Sequence, residues 1–226
     1  MEGKNFEREL PRGYRLATVM DASKGAFAVV FTLISLVLFV ISAFLVMLPV
    51  FSAPNSEELV NSGTSLYLMI GLVASISYIV LHELVHGAAY KRLTREPLTY
   101  GFTFTCAYCG VPKIFTYRRT ALISVLAPFV LFTLILVPAM VAAYFLSLGL
   151  YIVLGVVLIM HIQGCSGDLY VTALLLFKYR DRGVLMNDTG PRMALFVPDD
   201  TTLETEDERT AKFIADMKAE QAKKTK

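Results

Sequence analysis

Four long apolar runs restrict what this chain can fold into more than any other feature of its sequence. Each is longer than the roughly 20 apolar residues with which an α-helix crosses a bilayer. The runs are residues 25–51, 66–90, 120–146 and 148–177. Hydrophobic residues make up 55% of the chain and charged residues only 18%, which excludes an ordinary soluble domain. The sequence therefore predicts an all-α polytopic membrane protein with four transmembrane helices.

The loop charges predict how this bundle is oriented. Lys and Arg are concentrated before the first run, in the loop 91–119 and directly after the fourth run, whereas the loop 52–64 has none. The positive-inside rule then predicts that both termini and the 91–119 loop are cytosolic. We expect three segments: a cytosolic 1–24, a membrane domain 25–180 and a soluble cytosolic tail 181–226. The net charge of the chain is only +2. A basic rim beside lipid headgroups explains the Lys and Arg residues of these loops without a nucleic-acid partner.

A short motif near the end of the second run predicts a metal site. His82-Glu83-Leu84-Val85-His86 has the H-E-x-x-H pattern of zincins and holds two of the three histidines of the chain. On a helix this spacing places both imidazoles on one face, where they can bind one Zn²⁺ per chain. Glu83 is then the candidate catalytic base. Because Glu and His are costly to bury in a membrane, their presence there marks a functional site.

A zinc site needs a third protein ligand and leaves its fourth position to water. The fourth run offers three candidates: His161, Cys165 and Asp168. At about 1.5 Å per residue, His82 and Asp168 both lie about 13–15 Å below the basic rim, and His161 about 25 Å below it. Asp168 is therefore the better ligand, although a helix loosened at Gly164 and Gly167 would bring His161 closer. Alternatively, Asp168 pairs with a rim arginine and His161 is a hydrogen-bonded core histidine.

The loop after the motif alternates apolar and polar residues over 98–117. This pattern predicts a small cytosolic β-hairpin that turns near residues 108–110. Such a hairpin either covers the metal site and offers an edge strand to an extended peptide, or has a structural role only. Cys106 and Cys109 have C-x-x-C spacing, but with no second pair and no nearby histidine they are more typical of ordinary loop cysteines than of a metal or redox site.

The residues after the fourth run are interpreted as a soluble tail. Asp188-Thr189-Gly190 is the tripeptide of aspartic proteases, but a single copy beside Pro191 is more typical of a turn. Residues 205–226 are predicted to form an exposed charged helix. Its narrow apolar stripe consists of Phe213, Ile214 and Met217.

Residues 66–177 resemble the site-2 protease class of intramembrane zinc metalloproteases, and look closest to a bacterial membrane family of zincin peptidases. The shared features are H-E-L-V-H on an apolar helix, a basic loop with strand-like alternation, a helix with an early proline and an intramembrane Gly-Asp. The resemblance implies that His82, His86 and Asp168 bind zinc and that Glu83 is the catalytic base. It departs from the site-2 protease pattern at Asp168, which is followed by Leu169 instead of Gly.

The sequence thus predicts a zinc metalloprotease in a membrane, by resemblance the bacterial plasma membrane, with its site near the cytosolic face. The expected partners are bilayer lipids and a membrane protein or peptide substrate. The alternative is a non-catalytic metal-binding membrane protein, such as a scaffold, a sensor or a transporter subunit. Bound zinc with an open coordination position would favour the protease.

Overall fold

Long apolar helices make up most of the protein. The computed structural model describes residues 4–21, 25–51, 64–103, 106–180, 183–199, 213–219 and 222. The helices of the bundle in this part of the chain are α1 (Gly25–Phe51), α2 (Thr64–Thr94), α3 (Arg118–Leu146), α4 (Leu148–Gly164) and α5 (Ser166–Ala173). A π-helical turn, Leu174–Lys178, extends α5.

The prediction of several membrane-length apolar helices is confirmed. By length and composition, α1, α2 and α3 can each cross a membrane, and α4 with α5 and its π-helical turn makes a possible fourth span. That fourth span is bent by 40°, at a break that falls on Cys165. Large apolar side chains such as Phe44 and Leu134 are exposed on the outer faces of the helices. A helix that is apolar all round is typical of a membrane span.

The fold is not strictly all-α as predicted, because the described residues form two β-sheets, of which only the small hairpin was expected from the sequence. Their strands are β1 (Phe6–Glu7), β2 (Tyr14–Asp21), β3 (Thr99–Phe102), β4 (Ala107–Gly110), β5 (Phe115–Tyr117), β6 (Leu185–Asp188) and β7 (Arg192–Pro198). β3 and β4 form the small hairpin. The other five form an antiparallel sheet in the order β1-β5-β6-β7-β2.

The five-stranded sheet draws its strands from all three predicted segments of the chain. Tyr14 pairs with Pro198, although the whole membrane domain lies between these two residues in the sequence. The sheet is covered on both faces: Leu195 and Val197 pack with residues at the helix ends, while Ala194 and Phe196 pack with Phe213 of a short helix at 213–219. The starts of α1 and α3 and the end of α5 therefore meet at one end of the bundle.

The hairpin forms, but its turn is not where the sequence predicts. β3 and β4 pair with Thr99 opposite Gly110 and Phe102 opposite Ala107, so the connection lies between residues 102 and 107. Gly110 has a different role from that of a turn glycine. A Cβ at this position would collide with the backbone of Thr189 and Gly190, so glycine allows β4 to lie against the β6–β7 turn.

Candidate metal centre

One face of α2 carries a ladder of polar and aromatic side chains. Tyr78, His82, His86 and Tyr90 follow one another at intervals of four residues, so their side chains stack along the same face of the helix. All four are buried. Glu83 lies beside this ladder, is partly buried and lines the adjoining cavity. The motif helix therefore presents its two imidazoles inward with a carboxylate next to them.

Asp168 reaches this face because the fourth apolar run breaks. α4 ends at Gly164, Cys165 leaves the helical conformation with φ −75° and ψ 4°, and α5 begins anew at Ser166. Asp168 then lies in the first turn of α5, where the helix dipole favours a carboxylate. The Ser166 hydroxyl lies 2.7 Å from that of Ser35, which ties the break to α1.

Three donor atoms converge at equal spacing between α2 and α5. The Nε2 atoms of His82 and His86 are 3.2 Å apart, and each lies 3.4 Å from Oδ2 of Asp168. In a tetrahedral zinc site with bonds of about 2.0–2.1 Å, ligand atoms are separated by about 3.3–3.4 Å. The triangle therefore has the dimensions of three corners of such a site, and its nitrogen and oxygen donors suit zinc.

His86 is oriented by a carbonyl group of α3 that a proline leaves without its helical hydrogen bond. The Nδ1 atom of His86 lies 2.8 Å from the carbonyl oxygen of Ser124. In a regular helix that carbonyl would accept the N–H of residue 128, but residue 128 is a proline and has no N–H. The freed carbonyl can only accept, so Nδ1 of His86 must donate. The lone pair of the neutral imidazole is then on Nε2, which faces the other two donor atoms.

His82 has a matching partner on its other nitrogen. The hydroxyl of Tyr78, one helical turn earlier, lies 2.8 Å from Nδ1 of His82. Metal-binding histidines commonly donate their second ring N–H to such a partner, which holds the ring in place. Each imidazole of the motif therefore has a partner at Nδ1 that holds the ring in place. The lone-pair atoms of these donors converge, so the three residues fit a zinc ion.

The hairpin covers the motif from the side of Glu83. β4 packs against α2, and Cys109 of β4 lines the same cavity as Glu83. Gly87 permits this approach, because a Cβ there would collide with the Tyr100 hydroxyl of β3. Glu83, the three donor residues and β4 line one cavity of about 880 Å³. Its size is within the usual range of ligand-binding sites.

The structure thus brings His82, His86, Asp168 and Glu83 together at one cavity. It also shows the positions of His161 and of the cysteine pair, Cys106 and Cys109. His161 is fully buried and lies nearer to His82 than helix spacing predicts, since both contact the Tyr78 hydroxyl. Cys106 and Cys109 form no disulfide within the described part of the chain. Three residues of extended chain separate them by about 10 Å, too far for a disulfide.

Sequence reasoning missed a buried carboxylate at the edge of the cavity. Asp188, at the end of β6, accepts hydrogen bonds from the Tyr90 hydroxyl at 2.7 Å and from the Gly190 amide at 2.8 Å. It is only 2% exposed, and burial raises its pKa to about 6. The tripeptide does form a turn, in which Gly190 has a φ of +99°. The apolar runs on both sides of this turn were the available signal for two strands.

Asp188 predicts a pH dependence of stability. Its folded pKa lies above the ordinary value of about 3.9, so folding strengthens proton binding. The free energy of unfolding of the metal-free protein should therefore fall between pH 4 and pH 6 by about 3 kcal/mol from this group and level off above. Asp188→Asn should lose that slope in denaturant titrations. Parallel profiles for the variant and the wild type would show that Asp188 does not titrate in this range.

Comparison with known families agrees with the class of protein that the site suggests. Residues 75–182, a little under half of the chain, match a family described as "putative zincin peptidase". The matched region contains the motif helix from residue 75 onward, the hairpin, α3, α4 and α5. This match supports the zincin peptidase family and hints at a metallopeptidase. Searches among curated proteins and among solved structures found no significant match.

Proposed function

We propose that this protein is a membrane-embedded zinc metalloprotease. The observation that carries the proposal is the triangle of His82, His86 and Asp168, whose edges of 3.2–3.4 Å have the dimensions of a zinc site. The family match over residues 75–182 points to the same chemistry. The three residues would hold one zinc ion, and zinc supplies Lewis-acid polarisation of the scissile carbonyl and makes water a stronger acid.

The residues of the chain have separate tasks in this proposal. Glu83 is the general base: it takes a proton from the attacking water and gives it to the leaving amine nitrogen. Glu83 lines the cavity beside the three donor residues. The Ser124 carbonyl and the Tyr78 hydroxyl hold the two imidazoles. β4 packs against α2 and lines the cavity on the side of Glu83.

The cavity favours catalysis over a scaffold, sensor or transporter subunit. In the described part of the chain, the Asp168 triangle has three donor residues, which leaves a fourth zinc position open. A carboxylate that is not a donor, Glu83, lines the same cavity. A purely structural zinc site is closed by four side chains and needs no such base.

We further propose that the substrates are membrane or juxtamembrane segments cut near the cytosolic face. The apolar helices support a membrane location, and the basic loops support a cytosolic position for the end that carries the sheet. An extended substrate peptide would enter the cavity between α1, α2 and β4. Its unwound backbone would offer the carbonyl that the chemistry requires.

Purified protein tests the proposal directly. We expect about one zinc per chain and cleavage of some members of a membrane-peptide library in detergent or lipid. A chelator should stop cleavage, and added zinc should restore it. Bound zinc without cleavage of any peptide would favour the scaffold, and absence of zinc would remove the metalloprotease proposal altogether.

Cysteine labelling tests the orientation. In a Cys106→Ser background, Ser56→Cys should react with a membrane-impermeant thiol reagent added to intact cells. Lys113→Cys, at an exposed position before β5, should react only after the cells are opened. The native Cys109 and Cys165 are buried and should contribute little signal. The opposite labelling pattern would move the site to the outer face and change the class of substrate.

A further inference from the structure

A chain of buried hydrogen bonds runs from His82 away from the metal site. The Tyr78 hydroxyl lies 2.8 Å from Nδ1 of His82 and 2.9 Å from Nδ1 of His161. On the far side, Nε2 of His161 lies 3.0 Å from the Thr133 hydroxyl. Of these side chains, His161 has no exposed surface, and Tyr78 is buried between α2, α3 and α4. These hydrogen bonds therefore link α2, α4 and α3 through Tyr78 and His161.

The direction of the protons follows from the end of these hydrogen bonds at the metal site. The Nε2 atom of His82 faces His86 and Asp168, so when this atom binds a metal the proton of the neutral ring is on Nδ1 and is donated to the Tyr78 hydroxyl. The single phenolic proton of Tyr78 is then donated to Nδ1 of His161. Tyr78 can accept from His82 only if the proton of His82 is on Nδ1.

We propose that Tyr78 and His161 are positioning residues that hold His82 in its metal-binding tautomer. With the proton held on Nδ1, the lone pair of His82 is on Nε2, which is the atom that faces His86 and Asp168. His161 thus acts on the site through Tyr78 without touching the ion. This inference rests on the proposed zinc site and assigns a role to the third histidine of the chain.

The competing interpretation is a second metal site. His82, His161 and Cys165 also have donor atoms within 4.8 Å of one another. However, the Tyr78 hydroxyl already lies at hydrogen-bond distance from both imidazole Nδ1 atoms, and the Cys165 sulfur lies 3.6 Å from Nδ1 of His161. An ion there would have to displace this hydroxyl from two hydrogen bonds. The positions of these atoms therefore favour the hydrogen-bond chain.

Zinc affinity, measured by competition with a chelator, tests the inference. Tyr78→Phe removes only the hydroxyl, and we expect zinc to bind about 10–100-fold more weakly, the usual cost of losing such a partner. Tyr151→Phe is the matched control, because Tyr151 is also a buried tyrosine and its hydroxyl donates to the carbonyl of Val46 at 2.7 Å, away from the site. Both variants should lower the melting temperature of the metal-free protein, but only Tyr78→Phe should weaken zinc binding.

Substitutions at His161 separate positioning from packing. His161→Leu removes the acceptor of the Tyr78 hydroxyl and should weaken zinc binding as Tyr78→Phe does. His161→Asn has an acceptor oxygen near the place of the lost Nδ1 atom and should keep most of the affinity. Wild-type affinity in Tyr78→Phe or His161→Leu would overturn the hydrogen-bond chain and leave the zinc site intact. Two zinc ions per wild-type chain would overturn it in favour of the second site. Absence of zinc from the wild type would instead refute the proposed function.

Discussion

Glu83→Gln is expected to abolish most hydrolysis while the protein keeps its zinc. Glu83 lies outside the triangle of donor atoms, so the amide leaves the metal ligands unchanged. The glutamine side chain also has nearly the same size as that of glutamate. What is lost is the group that accepts the proton of the attacking water, and removal of a general base typically costs about 10²–10⁴-fold in rate.

The measurement is the turnover of a cleaved membrane peptide at saturating zinc, with zinc content determined on the same sample. Glu96→Gln is a suitable control. This residue follows α2, and its carboxylate pairs with Arg8 at 2.9 Å on the side of the sheet. It should keep wild-type turnover. Wild-type turnover in Glu83→Gln would instead show that another group accepts the proton, and the protease mechanism proposed here would be wrong.

The parts of this molecule that were predictable from sequence depend on local geometry. The apolar runs indicate long helices because a chain that cannot hydrogen-bond to water in lipid must satisfy its backbone internally. The spacing of His82 and His86 places their side chains on one helical face, since four residues make about one turn. Depth counting indicated Asp168, although the break at Cys165 places His161 closer than that counting suggests.

The sheet was not predictable in the same way, because it depends on pairing between distant segments. In the sequence β2 precedes the membrane domain and β7 follows it, and no local pattern joins them. β7 is also buried on both faces and so reads as a short continuous apolar run without alternation. Such a run is easily assigned to a loop or a tail. The five apolar residues in a row from Met193 to Val197, between Gly190 and Pro198, were the usable signal.

The groups that hold the histidines were partly visible in the sequence. Pro128 leaves the carbonyl of Ser124 without its helical partner, a consequence that follows from the sequence once the helix is recognised. That this carbonyl faces His86 depends on how α2 packs against α3, which the sequence does not reveal. Tyr78 could have been found from its spacing, since it precedes His82 by the same four residues that separate His82 from His86.

Asp168→Ala is expected to remove zinc almost as completely as His82→Ala. The carboxylate is one of three donors, and two imidazoles alone bind zinc poorly in a site built for three protein ligands. His161→Ala should still bind one zinc per chain at saturating metal, although with lower affinity, because His161 acts only through Tyr78. Zinc content after dialysis at a fixed free zinc concentration measures all three variants on the same scale.

The two candidate sets of metal ligands predict opposite results in this experiment. If zinc lies between His82, His86 and Asp168, then Cys165→Ser should retain the metal, as His161→Ala does at saturation. If the ion lies instead between His82, His161 and Cys165, then His161→Ala and Cys165→Ser should both empty the site while Asp168→Ala spares it. Only the first result leaves Glu83 beside the ion with an open position facing the cavity, so this comparison also decides whether hydrolysis is possible at this site.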